Sequence, residues 1–177
     1  MTVDVKQIRI IVSDVDGVWT DGKIIYSGDH REIKEFNVRD GLGVKLAQRA
    51  GIEVAVITSR RSKALDRRCR ELGVREVVQG AREKMSELRK ILEARSLGFE
   101  SLCYIGDDLP DLAAIEAAAL SAAPADAVAE IRAVATWTLA CRGGEGAFRE
   151  LVERILRERG EWDGVVDEYR AAKIARS

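Results

Sequence analysis

Short apolar segments rich in β-branched residues alternate along this chain with longer segments of helical periodicity. The strand-like segments are residues 8–13, 53–58, 75–78, 101–105, 119–122 and 135–139. The first, second and fourth are apolar almost throughout, which is typical of strands covered on both faces. Strands that alternate with helices form parallel sheets through right-handed crossovers. The pattern therefore predicts an α/β fold with a doubly wound, Rossmann-like parallel sheet.

Apolar residues recur at helical spacing between these strands. The stripes are Leu42 and Leu46; Leu65, Cys69 and Leu72; Met85, Leu88, Ile91 and Leu92; and Phe148, Leu151, Val152, Ile155 and Leu156. Three of these helices are followed by a glycine, at positions 51, 73 and 98, where a helix end favours a residue that can adopt positive φ. Folds of this kind bind ligands at the carboxyl ends of the strands, so a site is expected there.

One segment interrupts the alternation. Residues 23–36 contain two short strand patterns around a Ser-Gly-Asp turn, which predicts a β-hairpin inserted after the first strand. We expect residues 1–160 to form one domain without a separate cap domain, and residues 161–177 to be a polar tail, loosely helical or disordered. The single histidine, His30, lies in the hairpin turn and is expected to be solvated rather than catalytic.

The composition argues against several classes of protein. A chain of 177 residues has room for one hydrophobic core. Its 29 basic and 30 acidic residues give a net charge of −1, which does not favour nucleic-acid binding. No apolar segment approaches the roughly 18 residues of a membrane span, and we expect neither a membrane association nor a signal peptide. Cys69, Cys103 and Cys141 are odd in number and widely spaced, so we expect reduced thiols in a cytoplasmic protein.

A pair of carboxylates follows the first strand in the segment Asp-Val-Asp-Gly. Asp14 and Asp16 point to the same side of an extended chain, and Gly17 lets the backbone turn away. Two carboxylates at one strand end repel each other, and a bound cation is the simplest compensation. Aspartates are common turn residues at strand ends, however, so this pair alone is a weak signal.

A second acidic cluster follows the fourth strand-like segment. Asp107 and Asp108 lie at the expected start of a helix, with Asp111 one turn further along. Helix capping accounts well for one aspartate at such a position and poorly for three. The two clusters meet at the same sheet edge, which favours a functional site.

The remaining polar groups occupy equivalent positions. Thr58, Ser59 and Arg60 end the second strand and offer hydroxyls, backbone N–H groups and a cation. Lys84 lies in the first turn of a helix, where a lysine opposes the helix dipole unless an anion is bound nearby. Acids, a hydroxyl and a lysine at successive strand-to-helix transitions favour a functional site over a set of solvated surface residues.

These motifs, in this order, resemble those of the haloacid dehalogenase superfamily of phosphatases. The likeness is closer to its capless 3-deoxy-D-manno-octulosonate 8-phosphate phosphatase family and extends over about residues 8–159. The segments that carry it are residues 14–22, 36–41, 57–60, 79–80 and 143–150. The combined motifs are highly specific, and they imply a Mg²⁺-dependent phosphomonoesterase that serves lipopolysaccharide biosynthesis.

The resemblance implies a role for each motif residue. Asp14 would be the nucleophile that takes the phosphoryl group, and Asp16 the general acid and base. Mg²⁺ would be held by the Asp14 carboxylate, the backbone carbonyl of Asp16 and Asp107. The phosphoryl oxygens would be bound by Thr58 and Lys84. Asp108 and Asp111 would support the site.

The resemblance also implies a substrate and an assembly. Family members form tetramers through the inserted hairpin, so a homotetramer is expected, with 3-deoxy-D-manno-octulosonate 8-phosphate as the substrate. The candidate substrate-binding residues are Asn37, Arg39, Asp40, Ser59, Arg60 and Gly80. Arg142 and the following Gly-Gly-Glu-Gly stretch are candidates to reach a neighbour's site. Glu145 stands where octulosonate phosphatases often have arginine, so the 9-phosphate of a nine-carbon sugar acid, of the deaminoneuraminate or sialic acid type, remains an alternative.

Two other classes of protein are alternatives to a phosphatase. A receiver-type signalling domain also uses acids, a threonine and a lysine around Mg²⁺. Its acceptor aspartate lies on a middle strand, however, and the strand that ends in Thr58 has no such residue. A catalytically silent binding relative usually loses the nucleophile or the acid, whereas both Asp14 and Asp16 are present here.

Overall fold

The computed structural model describes residues 4–28 and 31–174, and His30 lies outside them. Six parallel strands form the main sheet in the order β5-β4-β1-β6-β7-β8. They are β1 (Ile10–Ser13), β4 (Glu53–Thr58), β5 (Glu76–Gln79), β6 (Leu102–Ile105), β7 (Leu120–Ala123) and β8 (Trp137–Thr138). The predicted parallel α/β fold is therefore confirmed.

Helices cover the sheet, and the four segments in which apolar stripes predicted helices are all helical. They are α1 (Val38–Arg49), α2 (Lys63–Leu72), α3 (Lys84–Glu93), α4 (Leu112–Ala117), α5 (Ala129–Val134), α6 (Ala147–Arg159) and α7 (Trp162–Ile174). Gly51 and Gly73 adopt positive φ, as predicted. The prediction for Gly98 is wrong: its φ is −102°, and Ser96 takes the left-handed conformation in the turn after α3 instead.

Strand β1 lies at the centre of the sheet and is buried along its whole length. Its register pairs Ser13 with Val56 of β4 on one side and with Ile105 of β6 on the other. Alternating side chains of β1 enter two separate cores, one on each face of the sheet. A strand with neighbours on both edges and cores on both faces is held firmly, so the residue that follows it is precisely placed.

The predicted hairpin is present as β2 (Ile25–Tyr26) and β3 (Glu32–Ile33), which pair in antiparallel register. Its apolar side chains face outward: Tyr26 is 65% exposed and Ile33 is 45% exposed. In the C-terminal segment, α7 is a regular helix whose Trp162 and Val165 pack against the core. Among the described residues, no helix combines the length and the apolarity needed to traverse a bilayer.

The Gly-Gly-Glu-Gly stretch packs against its own chain. A Cβ atom on Gly143 would lie 1.9 Å from the backbone oxygen of Gly17, so only glycine permits this close approach. The Gly144 N–H donates to the oxygen of Val18 (3.0 Å), and its carbonyl accepts from the Asn37 side chain (3.1 Å). The stretch therefore braces the loop that follows β1.

Asp40 joins the first and sixth helices. It is 3% exposed, and its Oδ1 accepts a hydrogen bond from the backbone N–H of Arg149 in the first turn of α6 (2.9 Å). Burial raises the pKa of Asp40 to about 6, although the backbone N–H groups of α6 favour the charged form. A carboxyl in this position serves the packing of two helices.

We predict that Asp40→Asn changes the pH dependence of stability. The folded-state pKa of about 6 exceeds the usual 3.8. The stability that this group contributes is therefore full below about pH 4 and is lost as the pH rises through about 6. Since the asparagine amide does not titrate, the free energy of unfolding of the variant, relative to that of the unmodified protein, should rise by about 2 kcal/mol between pH 4 and 7.

Urea unfolding at several pH values measures this difference. Asp163→Asn, which removes an exposed carboxylate from α7, is the matched control and should follow the unmodified protein. A difference between Asp40→Asn and the unmodified protein that stays constant across this range would contradict the assigned burial of Asp40.

Candidate active site

The carboxyl ends of three central strands bring the predicted catalytic residues together. Asp14 follows β1, and its backbone N–H donates to the oxygen of Ile105 at the end of β6 (3.0 Å). Thr58 is the last residue of β4, the neighbour of β1, and Asp107 comes two residues after β6. Lys84 is the first residue of α3. The fold thus places all four at one edge of the sheet.

A buried lysine links two of the carboxylates. The Lys84 ammonium lies 2.9 Å from Asp14 Oδ1 and 2.7 Å from Asp111 Oδ1. All three residues are at most 6% exposed. Burial alone would lower the pKa of Lys84, but Asp14 and Asp111 outweigh it and raise this pKa. Lys84 therefore stays charged, which explains its unfavourable position at a helix N-terminus.

Asp111 is held by three donors. Its Oδ1 accepts from Lys84 and from the Tyr104 hydroxyl (2.6 Å), and its Oδ2 accepts from the backbone N–H of Asp107 (3.3 Å). Burial, together with the charge of Asp111, raises the pKa of Tyr104 well above its usual value, so the phenol remains a donor. The sequence patterns did not point to Tyr104. The feature that could have indicated its role is a hydroxyl-bearing aromatic residue in an otherwise apolar, buried strand.

Asp14, Asp107 and Asp111 form a carboxylate cluster in which one oxygen of each lies within 4.8 Å of the others. Burial raises the pKa of Asp14 to about 6, and repulsion by Asp111 adds to this while Lys84 opposes it. Burial and the charges of Asp14 and Asp111 raise the pKa of Asp107 to about 8. Both pKa shifts therefore reflect burial first, and then a negative charge that one lysine does not fully offset.

The cluster fits a divalent cation. Asp107 Oδ1 is buried and has no hydrogen-bond partner among the described residues. A Cβ on Gly17 would lie 1.9 Å from Asp107 Oδ2, so the glycine leaves room beside this carboxylate. Hard cations such as Mg²⁺ prefer carboxylate and carbonyl oxygens. Asp107 is the least engaged side chain of the three, Asp14 contacts Lys84 through Oδ1, and Asp111 is held by both Lys84 and Tyr104.

Asp16 turns away from the carboxylate cluster and towards the hairpin. Its Oδ1 is paired with the ammonium of Lys34, and its Oδ2 lies 3.9 Å from Arg60 Nε. Glu32 completes the group, 2.6 Å from Arg60 and 3.3 Å from Lys34. Burial opposes the charged form of Glu32, but Arg60 and Lys34 outweigh it and lower the pKa of Glu32.

We call Asp16, Lys34, Glu32 and Arg60 the charge ring, since acids and bases alternate around it. The sequence motifs predict Asp16 and Arg60 at the site but do not predict Glu32 and Lys34 of the hairpin. A signal for them was present: Glu32 and Lys34 share one face of an extended strand and alternate with the apolar Ile33. The sequence positions of Glu32 and Lys34 do not indicate that this face of the hairpin contacts Asp16.

The other residues at the ends of β4 and β5 line the same edge. Thr58 is buried, and its hydroxyl accepts a hydrogen bond from the backbone N–H of Arg60 (3.3 Å). Ser59 is exposed beside it. Gly80 has a φ of +74°, and its N–H donates to the oxygen of Arg60 (3.2 Å). Gly80 thus supports the turn that carries Arg60.

The residues after the hairpin have different surroundings. Asn37 caps α1, because its Oδ1 accepts from the backbone N–H of Arg39 (2.8 Å). The Arg39 side chain is exposed and lines a surface groove with Glu145. Asp40 is buried against α6, as described above. Asp108 is exposed and caps the short 3₁₀ turn Leu109–Asp111 through the N–H of Leu109 (2.8 Å).

The arrangement suits the transfer of a phosphoryl group. A buried carboxylate, Asp14, has a lysine on one side, and a second carboxylate, Asp16, follows two residues later in the sequence. A cation bound beside Asp14 and the Lys84 ammonium would offset charge on phosphoryl oxygens. A nucleophilic carboxylate with an acid nearby can split one difficult displacement into two easier steps.

Comparisons with known proteins agree with this chemistry. No protein-family model matches the chain. It is 39% identical, over 158 residues, to the 3-deoxy-D-manno-octulosonate 8-phosphate phosphatase of Escherichia coli strain K12, and the match covers 89% of this chain and 84% of that protein.

Solved structures give the same result. The Moraxella catarrhalis 3-deoxy-D-manno-octulosonate 8-phosphate phosphatase, in complex with magnesium, phosphate and KDO, superimposes with a TM-score of 0.91 and 36% identity, covering 93% of this chain and 95% of that one. The cobalt-bound Haemophilus influenzae phosphatase gives 0.86 and 39%, covering 89% and 92%. The chain belongs to the 3-deoxy-D-manno-octulosonate 8-phosphate phosphatase family of the haloacid dehalogenase superfamily.

Proposed function

We propose that this protein is a Mg²⁺-dependent phosphomonoesterase that hydrolyses 3-deoxy-D-manno-octulosonate 8-phosphate to 3-deoxy-D-manno-octulosonate and phosphate. The observation that carries the proposal is the buried group formed by Asp14, Lys84 and Asp107 at the carboxyl edge of the sheet. The relatives are named for this substrate, and the Moraxella catarrhalis structure holds magnesium, phosphate and KDO. These observations favour the eight-carbon acid over a nine-carbon one.

In the first step, an Asp14 carboxylate oxygen attacks phosphorus, and the bond from phosphorus to the sugar oxygen breaks. Asp16 gives its proton to the departing oxygen, so the sugar acid leaves as an alcohol. The Lys84 ammonium, held by Asp14 and Asp111, faces the negative charge of the phosphoryl group without having to reorganise.

In the second step, Asp16 takes a proton from water as the water oxygen attacks phosphorus. The bond between phosphorus and the Asp14 oxygen breaks, and inorganic phosphate leaves with Asp14 restored as a carboxylate and Asp16 protonated again. The acid of the first step is the base of the second, so one residue beside the nucleophile serves both.

The carboxylates of Asp14 and Asp107 and the backbone carbonyl of Asp16 would hold Mg²⁺. When bound, the ion offsets negative charge on the nucleophile and on the phosphoryl oxygens. Asp111 supports the site by fixing Lys84 through its Oδ1, and Asp108 supports it by capping the turn that carries Asp111.

The remaining predicted residues fall into two groups. For the phosphoryl oxygens, the Thr58 hydroxyl joins Lys84 as a ligand, supported by its place at the end of β4. For the sugar acid, we retain five candidates that follow β4 and β5 or lie at the start of α1: Ser59, Arg60, Gly80, Asn37 and Arg39. Asp40 is assigned instead to the contact between α1 and α6, because its carboxyl is buried there.

The hairpin supports a proposal about assembly. Ile24, Tyr26 and Ile33 are 52%, 65% and 45% exposed, and Val38 at the start of α1 is 79% exposed. An isolated two-stranded hairpin is marginal in water, and contiguous exposed apolar side chains mark interaction sites. We propose that this surface joins copies of the chain in a homotetramer.

Two further expectations belong to the proposal. Residues 1–160 would act as one phosphatase domain, with residues 161–177 as an appended segment that includes α7. A cytoplasmic location is supported by three unpaired cysteines, two of them buried. Thiols of this kind persist in a reducing compartment.

We predict that Asp14→Asn lowers phosphate release by at least about 10³-fold, because the amide cannot attack phosphorus. The assay uses 3-deoxy-D-manno-octulosonate 8-phosphate with Mg²⁺, and thermal unfolding shows that the variant is folded. Asp167→Asn, on the exposed face of α7, removes a carboxylate far along the chain and should keep full activity. Activity of Asp14→Asn near that of the unmodified protein would overturn the assignment of the nucleophile.

The same assay tests the substrate. The value of kcat/KM should be higher for the eight-carbon acid 8-phosphate than for the 9-phosphates of deaminoneuraminate and sialic acid. Equal or higher values for a nine-carbon substrate would reject the proposed specificity while leaving the phosphatase chemistry in place.

For the assembly, we predict that light scattering gives four times the mass of one chain, and that Ile24→Asp produces smaller species. A charge at the hairpin surface would have to be buried in the proposed interface, which is costly. Val134→Asp changes a similarly exposed apolar residue on α5 and should leave the mass unchanged. A monomeric unmodified protein with full activity would reject the tetramer.

A further inference from the structure

A lysine of the hairpin has an environment unlike that of its neighbours. The Lys34 side chain is 3% exposed, whereas the adjacent Ile33 is 45% exposed. Lysine is rarely buried unless its charge is paired, because removing an ammonium group from water is costly. Here the pairing partners are Asp16 and Glu32. The hairpin therefore inserts a cation directly behind the proposed acid and base of the reaction.

The two oxygens of Asp16 are not equivalent. Oδ1 accepts a hydrogen bond from Lys34 Nζ. Oδ2 is buried and has no hydrogen-bond partner among the described residues, and Arg60 Nε, which lies 3.9 Å away, is also without a hydrogen-bond partner among them. Buried polar atoms are nearly always hydrogen-bonded, so an unpaired one at a functional site points to a partner that arrives with the ligand.

Arg60 cannot replace Lys34 in this role. Its guanidinium is engaged by Glu32 at 2.6 Å, and this hydrogen bond raises the pKa of Arg60 further. Glu32 in turn lies 3.3 Å from Lys34, so the two hairpin residues restrain each other. Within the charge ring, Lys34 is the residue that donates a hydrogen bond to the Asp16 carboxylate.

We propose that Lys34 is a positioning residue for Asp16: by binding Oδ1 it fixes the carboxylate so that Oδ2 gives and takes the proton. Proton transfer requires the donor oxygen within hydrogen-bond reach of the accepting atom, and small errors of placement cost rate. The inference rests on the proposed function, because it assumes that Asp16 protonates the leaving oxygen.

The test compares two leaving groups in one variant. Lys34→Met keeps the length and volume of the side chain and removes its charge. Release of the sugar alcohol needs a proton from Asp16, whereas release of p-nitrophenolate from p-nitrophenyl phosphate does not. We expect Lys34→Met to lower first-turnover alcohol release at least about tenfold and p-nitrophenolate release less than about threefold. The ratio of the two rates does not depend on the folded fraction of the variant.

Two further variants complete the design. Lys34→Arg keeps a cation and a donor at this position and should recover most of the lost alcohol release. Lys23→Met removes an exposed hairpin lysine that pairs with Asp21 and should leave both rates unchanged. Equal losses on the two substrates in Lys34→Met would show a purely structural role and overturn the proposal, as would two unchanged rates.

The outcome separates this inference from the proposed function. If the unmodified protein releases no phosphate from either substrate, the proposed function fails. If it is active, and Asp14→Asn is not, while Lys34→Met affects both substrates alike, only the role of Lys34 fails.

Discussion

Three carboxylates and one ammonium group lie close together at the carboxyl edge of the sheet, largely shielded from solvent, and the surrounding structure holds them there. Lys84 touches Asp14 and Asp111 but leaves Asp107 Oδ1 without a partner among the described residues, so the group carries excess negative charge. Burial, together with this negative charge, raises the pKa values of Asp14 and Asp107. A divalent cation relieves the repulsion, and the cluster of carboxylate oxygens supplies the ligands that such an ion prefers.

The loops around this cluster are held by contacts from distant parts of the chain. Gly143 and Gly144 press against the loop that follows β1, and Asn37 binds the carbonyl of Gly144. Asp40 then fastens α1 to the start of α6. Asn37 and Asp40, which the sequence suggests as substrate-binding residues, therefore also hold structural elements together.

The sequence was sufficient for the sheet, the helices and the convergence of Asp14, Thr58, Lys84 and Asp107, because strand ends of a parallel sheet meet at one edge. It was insufficient for Tyr104, Glu32 and Lys34. Which residue meets which across a hairpin and a sheet depends on tertiary packing, and periodicity contains no information about it. The prediction of positive φ at Gly98 was wrong because Ser96, in the turn before it, adopts the left-handed conformation instead.

The central claim is that Asp14 carries the phosphoryl group, and trapping that group tests it most directly. In Asp16→Asn, p-nitrophenyl phosphate should still phosphorylate the protein, because its leaving group needs no proton, while hydrolysis should slow for lack of a base. Acid quenching followed by peptide mass spectrometry should then locate the phosphoryl group on Asp14. A phosphoryl group on another residue, or release of p-nitrophenolate with none bound to the protein, would contradict the account.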